Sequence, residues 1–511
     1  MKFVKLIRAV IKSTISRLLS IHICLSGAIL LPLNMNYAQV DNPHTTTGQV
    51  VLSSGKRLSY RVEMGRIPIR DGGSDEIRAN MFFVAYRVTS ELPRPVVFIW
   101  NGGPGSSSSL LHLQSIGPRL INTSGAVTEN PDTVLGSADV VFVDAVGTGF
   151  SRLSKPNFAN QFYQMRGDVA SFTEFVRVWR LLYGADQSPI YVAGESWGAF
   201  RADSVALGLE RRGMKVDGIV AISGRPGLRN GWFDTTLRAL RTVQQSVAAQ
   251  YHGKLSPDLP KDPATLQKVV YDWVKSTYVP ALEHIDSLSD AQRDAITQQL
   301  SKYIGLPVRE IDHVTLMVYP RQFLEGLLRG EGEVLDGNDM TKTTKSAPKE
   351  NIQVVEYYLR HDLGYVTGLA YIQTGHDLNG FSPDGGPVRN PGDLWDYQKG
   401  FFSFDVRPGD LDKQNELQLA RGEPPRGQET PDSADAMAID SQLRLFIATG
   451  LYDPRTTCAS SAEIVNRQDP VLRPRIETHC YQGGHMFYLY SGARRQFSDD
   501  LQKFIVGNTT H

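Results

Sequence analysis

The stretch "YVAGESWGAF", residues 191–200, decides the fold. It runs from an apolar segment through Gly194-Glu195-Ser196-Trp197-Gly198 into a helical pattern, which sets a serine on a sharp strand-to-helix turn. Side chains two positions before and two positions after such a serine would collide with neighbouring backbone, and both positions are glycine. The turn lifts the Ser196 hydroxyl to the carboxyl edge of a sheet, where a base can reach it. A bare G-x-S-x-G is common by chance; the strand before it and the helix after it give it weight.

Other segments share the rhythm. "VVFIW", "DVVFVDAV", "PIYVAG", "GIVAIS" and "RLFIATG" are short, nearly continuous apolar runs, each ending in Gly or followed by Gly within two residues. Strands buried on both faces of a mostly parallel sheet have this composition. Between two of them, residues 168–184 place Val169, Phe172, Phe175, Val176, Trp179 and Leu182 at helical spacing. Residues 48–87 alternate as strands do, with Ser53-Ser54-Gly55 as a hairpin turn. A doubly wound α/β core is expected. Its rhythm stops between about Arg225 and Ala436, where amphipathic helical segments and Gly/Pro/Asp-rich loops take over, ending in an exposed polar linker at residues 421–435. The expected organisation is a core in two parts, residues 39–225 and 437–511, interrupted by a largely helical lid at 226–436.

With 511 residues, 41% hydrophobic and 21% charged, the chain can bury a large core. Residues 1–38 carry five basic and no acidic residues, an apolar stretch from about Leu18 to Leu33, and then Asn36-Tyr37-Ala38. A signal peptide cleaved near Ala38 is expected, with an uncleaved anchor as the alternative. Cleavage leaves 49 basic against 54 acidic residues, a balance that does not favour nucleic acid. The mature protein is expected to be exported, periplasmic or secreted, and free of stable membrane association. Cys458 and Cys480 alone survive processing and suggest one disulfide, with two buried thiols as the alternative. No CxxC, HExxH or EF-hand pattern occurs, so no metal or cofactor is expected.

A serine hydroxyl becomes a nucleophile when a histidine removes its proton and a carboxylate orients that histidine. In α/β hydrolases the chain order is Ser, acid, His, with the acid and the His on loops after late strands. "LRLFIATGLYD" delivers Asp453 just past one buried strand, and "IETHCYQGGHMF" delivers His485 just past the next. His479 falls inside that last strand and is expected to be structural. The oxyanion that forms on attack needs preorganised N–H donors. The first belongs to the residue after the nucleophile, Trp197. The second comes from an earlier strand-end loop, Asn101-Gly102-Gly103-Pro104-Gly105, and is assigned to Gly103.

With these residues in place the chain resembles the serine carboxypeptidase family, peptidase family S10. The resemblance rests on N-G-G-P-G-x-S-S from Asn101, Gly117-Pro118, "VFVDAVGTGFS" from Val141, G-E-S-W-G, the strand leading to Asp453, and "GGHM" from Gly483. Details such as "GPR" at Gly117 and "SWGAFRA" look more like the bacterial branch. The resemblance implies an α/β-hydrolase fold, peptide substrates, release of one C-terminal residue through an acyl-enzyme on Ser196, and substrate-carboxylate binding by Asn101 and Glu195. In better-known members the equivalent of Glu195 shares a proton with a second glutamate; that position is Ser115 here. Arg201 or Arg119 is a candidate to take over part of the carboxylate contact, against the alternative that both arginines form ion pairs within the protein. The usual cysteine of the glycine motif is Ser106. An esterase or acyltransferase on the same scaffold, a proline iminopeptidase-like aminopeptidase and an inactive binding protein are the rival expectations.

Overall fold

The computed structural model describes residues 43–122, 124–229, 234–346, 352–373, 394–396 and 432–507. The expected signal peptide and most of the expected 421–435 linker lie outside them. The chain opens with three long antiparallel strands, β1 (His44–Val51), β2 (Arg57–Arg70) and β3 (Ile77–Arg87). The outermost, β1, alternates half-buried and exposed residues, as a strand with one wetted face does.

The strands that follow are β4 (Val96–Trp100), a small hairpin of β5 (Arg119–Ile121) and β6 (Val127–Glu129), β7 (Asp139–Val143), β8 (Arg152–Leu153), β9 (Ile190–Glu195), β10 (Gly218–Ile222), β11 (Arg444–Gly450) and β12 (Ile476–Tyr481). The main sheet runs in the order β1-β2-β3-β7-β4-β9-β10-β11-β12, with β8 beside β3. From β7 to β12 every neighbouring pair is parallel. All residues of β4, β7, β9 and β10 are buried, which explains their unbroken apolar runs. Successive side chains still point to opposite faces. Val96, Phe98 and Trp100 join one hydrophobic core, and Val97 and Ile99 join the other. This is an α/β-hydrolase fold.

Helices cover both faces: α1 (Ser109–Gln114), α2 (Met165–Leu182) and α3 (Trp197–Glu210) precede the insertion. The helix expected at 168–184 starts three residues earlier, at Met165, and stops at Leu182, before Gly184 with φ +61°. After β10 the chain leaves the sheet and forms α4 (Arg241–Tyr251), α5 (Pro263–Trp273), α6 (Asp290–Ile304) and α7 (Pro320–Gly326). Local signals set their limits. Asp262 caps α5 with Pro263 in its first turn, and a Ser289–Gln292 capping box opens α6, which closes on left-handed Gly305. The chain returns through α8 (Asp432–Ile439), then adds α9 (Cys458–Asn466) after β11 and α10 (Ser491–Val506) after β12.

Exit and return meet against α3: Ala434 N donates to Gly227 O at 3.1 Å, and buried Asp203 of α3 accepts from Gly227 N at 2.7 Å and Ser433 Oγ at 2.6 Å. Cys458 and Cys480 form a disulfide, with Cα atoms 5.6 Å apart, between the start of α9 and β12.

Candidate active site

Ser196 stands between β9 and α3 with φ +56° and ψ −121°, a conformation few non-glycine residues adopt. The flanking glycines explain how it fits. A Cβ on Gly194 would lie 1.7 Å from Gly198 O, and one on Gly198 would lie 3.0 Å from the carbonyls of Trp100 and Asn101. Ser196 N donates to Ile222 O at 2.8 Å, so the turn is fastened to the end of β10.

The glycine loop after β4 presses on the same turn. A Cβ on Gly102 would sit 2.5 Å from Glu195 O, 2.6 Å from Trp197 N and 2.8 Å from Gly198 N, leaving room only for hydrogen there. Gly103 follows with φ +108°. One end of the loop is held by Trp100 Nε1 on Gly198 O, at 2.8 Å. The other end is held by Asp144, from the "VFVDAVGTGFS" segment, whose Oδ1 accepts from Ser108 N at 2.8 Å. Burial pushes the Asp144 carboxyl up to about 7, against hydrogen bonds from Ser108, Tyr371 and Phe150.

Asp453 and His485 meet on the loops after β11 and β12. His485 Nδ1 lies 2.8 Å from Asp453 Oδ2, both residues are buried, and Asp453 Oδ1 accepts from Arg455 N at 2.8 Å. The two loops are also bonded directly, Leu451 N to Tyr481 O at 2.8 Å and Tyr452 N to Gly483 O at 2.9 Å. Ser223, just past β10, donates to His485 O at 2.5 Å and accepts from Thr456 Oγ1 at 3.2 Å. Glu195 lies within electrostatic reach of both His485 and Asp453. Glu195, the neighbour of Ser196, and the Asp453–His485 pair therefore share one end of the sheet. His479 lies within β12, stacked on Phe446 and Tyr481, away from this group.

Glu195 is buried. Its Oε2 accepts from Asn101 Nδ2, and its Oε1 accepts from Tyr488 OH at 2.7 Å. Asn101 Oδ1 in turn accepts from Leu111 N at 3.1 Å, which fixes the amide orientation. Burial raises the Glu195 carboxyl above its ordinary range, opposed by the charge on His485 and by the Tyr488 and Asn101 hydrogen bonds. Tyr488 escaped the reading of the sequence. Its only signal is its place three residues beyond His485, on the turn that carries the histidine. Ser115 is fully buried, and its Oγ has no hydrogen-bond partner among the described residues.

Both arginines offered for carboxylate binding hold partners within the protein. Arg201 is 1% exposed and grips Asp168 with two bonds, Nε to Oδ2 at 2.6 Å and Nη2 to Oδ1 at 3.1 Å, while Nη1 donates to Asn101 O at 2.8 Å. Its planar fork is committed to a buried carboxylate of α2. Arg119 lies on the β5–β6 hairpin, with Nη2 on Gln49 O at 2.9 Å and Nη1 3.7 Å from Glu129. Arg201→Ala strands Asp168 as a buried charge. It is expected to lower unfolding free energy by about 3–5 kcal/mol, measured by urea denaturation.

A sequence model of the serine carboxypeptidase family matches residues 72–200. Among curated relatives, the pheromone-processing carboxypeptidase kex1 of Aspergillus niger is 33% identical over 159 residues, 30% of this chain and 26% of that protein. The counterpart from Debaryomyces hansenii is 32% identical over 181 residues, 34% of this chain and 26% of that protein. The chain thus spans about a quarter of the length of these relatives. Among solved structures, Kex1(delta)p, a prohormone-processing carboxypeptidase from Saccharomyces cerevisiae, aligns with a TM-score of 0.44 at 13% identity, over 88% of this chain and 91% of that one. The matched segment holds the glycine loop and the Ser196 turn, and over it the chain is similar to the serine carboxypeptidase family.

Proposed function

We propose that this protein is a serine carboxypeptidase that removes the C-terminal residue of peptides through an acyl-enzyme on Ser196. The observation that carries the proposal is the joint one: an elbow serine at φ +56° and a buried Asp453–His485 pair at 2.8 Å, at the same end of the sheet. In this mechanism His485 Nε2 takes the Ser196 proton as Oγ attacks the scissile carbonyl, then returns it to the leaving amine. Asp453 holds the proton on Nδ1, and the N–H groups of Trp197 and Gly103 receive the oxyanion. Water then repeats the sequence on the acyl-enzyme. The Asn101–Glu195–Tyr488 group beside the nucleophile favours an exopeptidase over an esterase, because a buried, raised carboxyl can lend its proton to a substrate carboxylate.

Export is part of the proposal, with residues 1–38 as the signal and the periplasm or the exterior as the destination. The Cys458–Cys480 disulfide supports an oxidising compartment. Among the described residues no helix is long and apolar enough to cross a membrane.

The test pairs an N-blocked dipeptide bearing a free C-terminal carboxylate with its amide, beside a Ser196→Ala control. Hydrolysis of the free acid, at least tenfold faster than of the amide and lost in the control, is the expected result. Equal hydrolysis of the acid, the amide and an ester analogue would turn the assignment to an esterase or acyltransferase.

A further inference from the structure

One tight turn of the insertion bonds to both catalytic loops. Residues 336–342 fold on themselves: Asp336 Oδ1 accepts from the N–H groups of Asn338 and Asp339, both at 2.9 Å, and Asp339 Oδ1 accepts from Thr341 N at 2.9 Å and Thr341 Oγ1 at 2.7 Å. This turn then touches both loops that follow β11 and β12. Asn338 O accepts from His485 N at 2.5 Å, and Met340 N donates to Tyr452 O, the residue before Asp453, at 3.0 Å. Gly337 O accepts from Arg455 Nε at 3.1 Å, and Asp339 Oδ2 accepts from Tyr490 OH at 2.5 Å. The approach is close. A Cβ on Gly484 would lie 2.2 Å from Asn338 O and 2.5 Å from Asp339 Cα. The second glycine of "GGH" is thereby explained by contact with the insertion rather than with substrate.

We infer that Asp339 is a positioning residue for the reaction: its carboxylate holds the 336–342 turn between the Asp453 and His485 loops and so fixes where the imidazole stands. The inference rests on the assignment of Ser196, His485 and Asp453 as nucleophile, base and orienting acid. It does not depend on the substrate being a peptide. Asp339 touches neither substrate nor the reacting atoms; it acts through two backbone bonds and one tyrosine. The insertion is then a third support of the catalytic pair as well as a cover, and a seated insertion is a condition of activity.

The experiment measures the second-order rate of Ser196 labelling by a fluorophosphonate, per folded molecule, together with kcat and KM for an ester. Asp339→Ala removes the Thr341 and Tyr490 bonds at once. Labelling and kcat are expected to fall roughly 10- to 10²-fold with KM within about twofold, the scale on which small misplacements of a catalytic group act. Asp339→Asn recovers most of the loss, because its Oδ1 still accepts from Thr341 and its amide can donate to the Tyr490 oxygen. A purely structural role would lower the thermal midpoint and leave the rate per folded molecule unchanged, and that result overturns the inference. Should Asp339→Ala fail to fold, Tyr490→Phe removes the hydroxyl's bonds to Asp339 and Thr341 without a cavity and must still slow labelling. Wild-type enzyme that labels but spares peptides would defeat the proposed substrate and leave this inference standing. Wild-type enzyme that does not label would remove both.

Discussion

With Asp453 replaced by asparagine, kcat falls about 10⁴-fold while the fold is retained. The size of the loss follows from the surroundings of the carboxylate. Oδ1 is the acceptor for Arg455 N at 2.8 Å, and Oδ2 faces His485 Nδ1 at 2.8 Å. An asparagine must keep its oxygen toward the Arg455 N–H, which has no other use for a donor. Its NH2 group then points at Nδ1. Two donors cannot share that contact, so Nδ1 becomes the acceptor and the imidazole proton moves to Nε2. An Nε2 that already bears a proton cannot take one from Ser196. The side chain is nearly isosteric and both hydrogen bonds survive, so the circular dichroism spectrum and thermal midpoint should match the wild type. A kcat within tenfold of the wild type, with the fold intact, would show that Asp453 does not set the tautomer of His485.

How much of this was legible in the chain depended on how local each cause is. The strands of the parallel sheet announce themselves because burial on both faces demands an unbroken apolar run, and β4, β7, β9 and β10 are buried throughout. Gly194 and Gly198 are demanded by the elbow itself, within five residues. Asp453 and His485 were reached through the order of strands. Tyr488 and Ser223 were not, since each acts on a partner that the fold brings from far along the chain, 293 residues for Tyr488 and Glu195 and 262 for Ser223 and His485. For Arg201 two readings stood open, a carboxylate contact or an ion pair within the protein, and the sequence could not choose because the partner, Asp168, sits 33 residues upstream on a neighbouring helix. Asp339 belongs to a loop with no periodicity to read, and what the loop touches emerges only in the fold, from its bonds to His485, Tyr452 and Arg455 and its contact with Gly484.

For a peptide with a free carboxylate, KM is expected to rise about tenfold per pH unit once the pH passes the raised value of Glu195, while kcat does not share that rise. The sign comes from the site. Burial holds the Glu195 proton to higher pH than an exposed glutamate would, and in that form the carboxyl can donate to the substrate's anion. Once ionised, it repels the same anion at close range. Glu195→Gln cannot ionise, so its KM should be flat over the range in which the wild type rises. Tyr488→Phe is the more discriminating variant. The Tyr488 hydroxyl donates to Oε1 at 2.7 Å and so favours the charged form. Its removal keeps the carboxyl protonated further up, and the rise in KM should begin at higher pH than in the wild type. Stability must move in step. A carboxyl whose folded value lies above its unfolded one costs stability as pH rises from the unfolded value through the folded one, and the cost persists above both. The difference in unfolding free energy between Glu195→Gln and wild type should therefore shift in favour of the variant between acid and neutral pH. An ester or amide lacking the terminal carboxylate serves as the control, since it meets the same catalytic groups and has no anion for Glu195 to repel. A KM for the free acid that ignores pH, or the same rise with the ester, would remove Glu195 from carboxylate recognition and leave its bonds to Asn101 and Tyr488 as supports of the elbow.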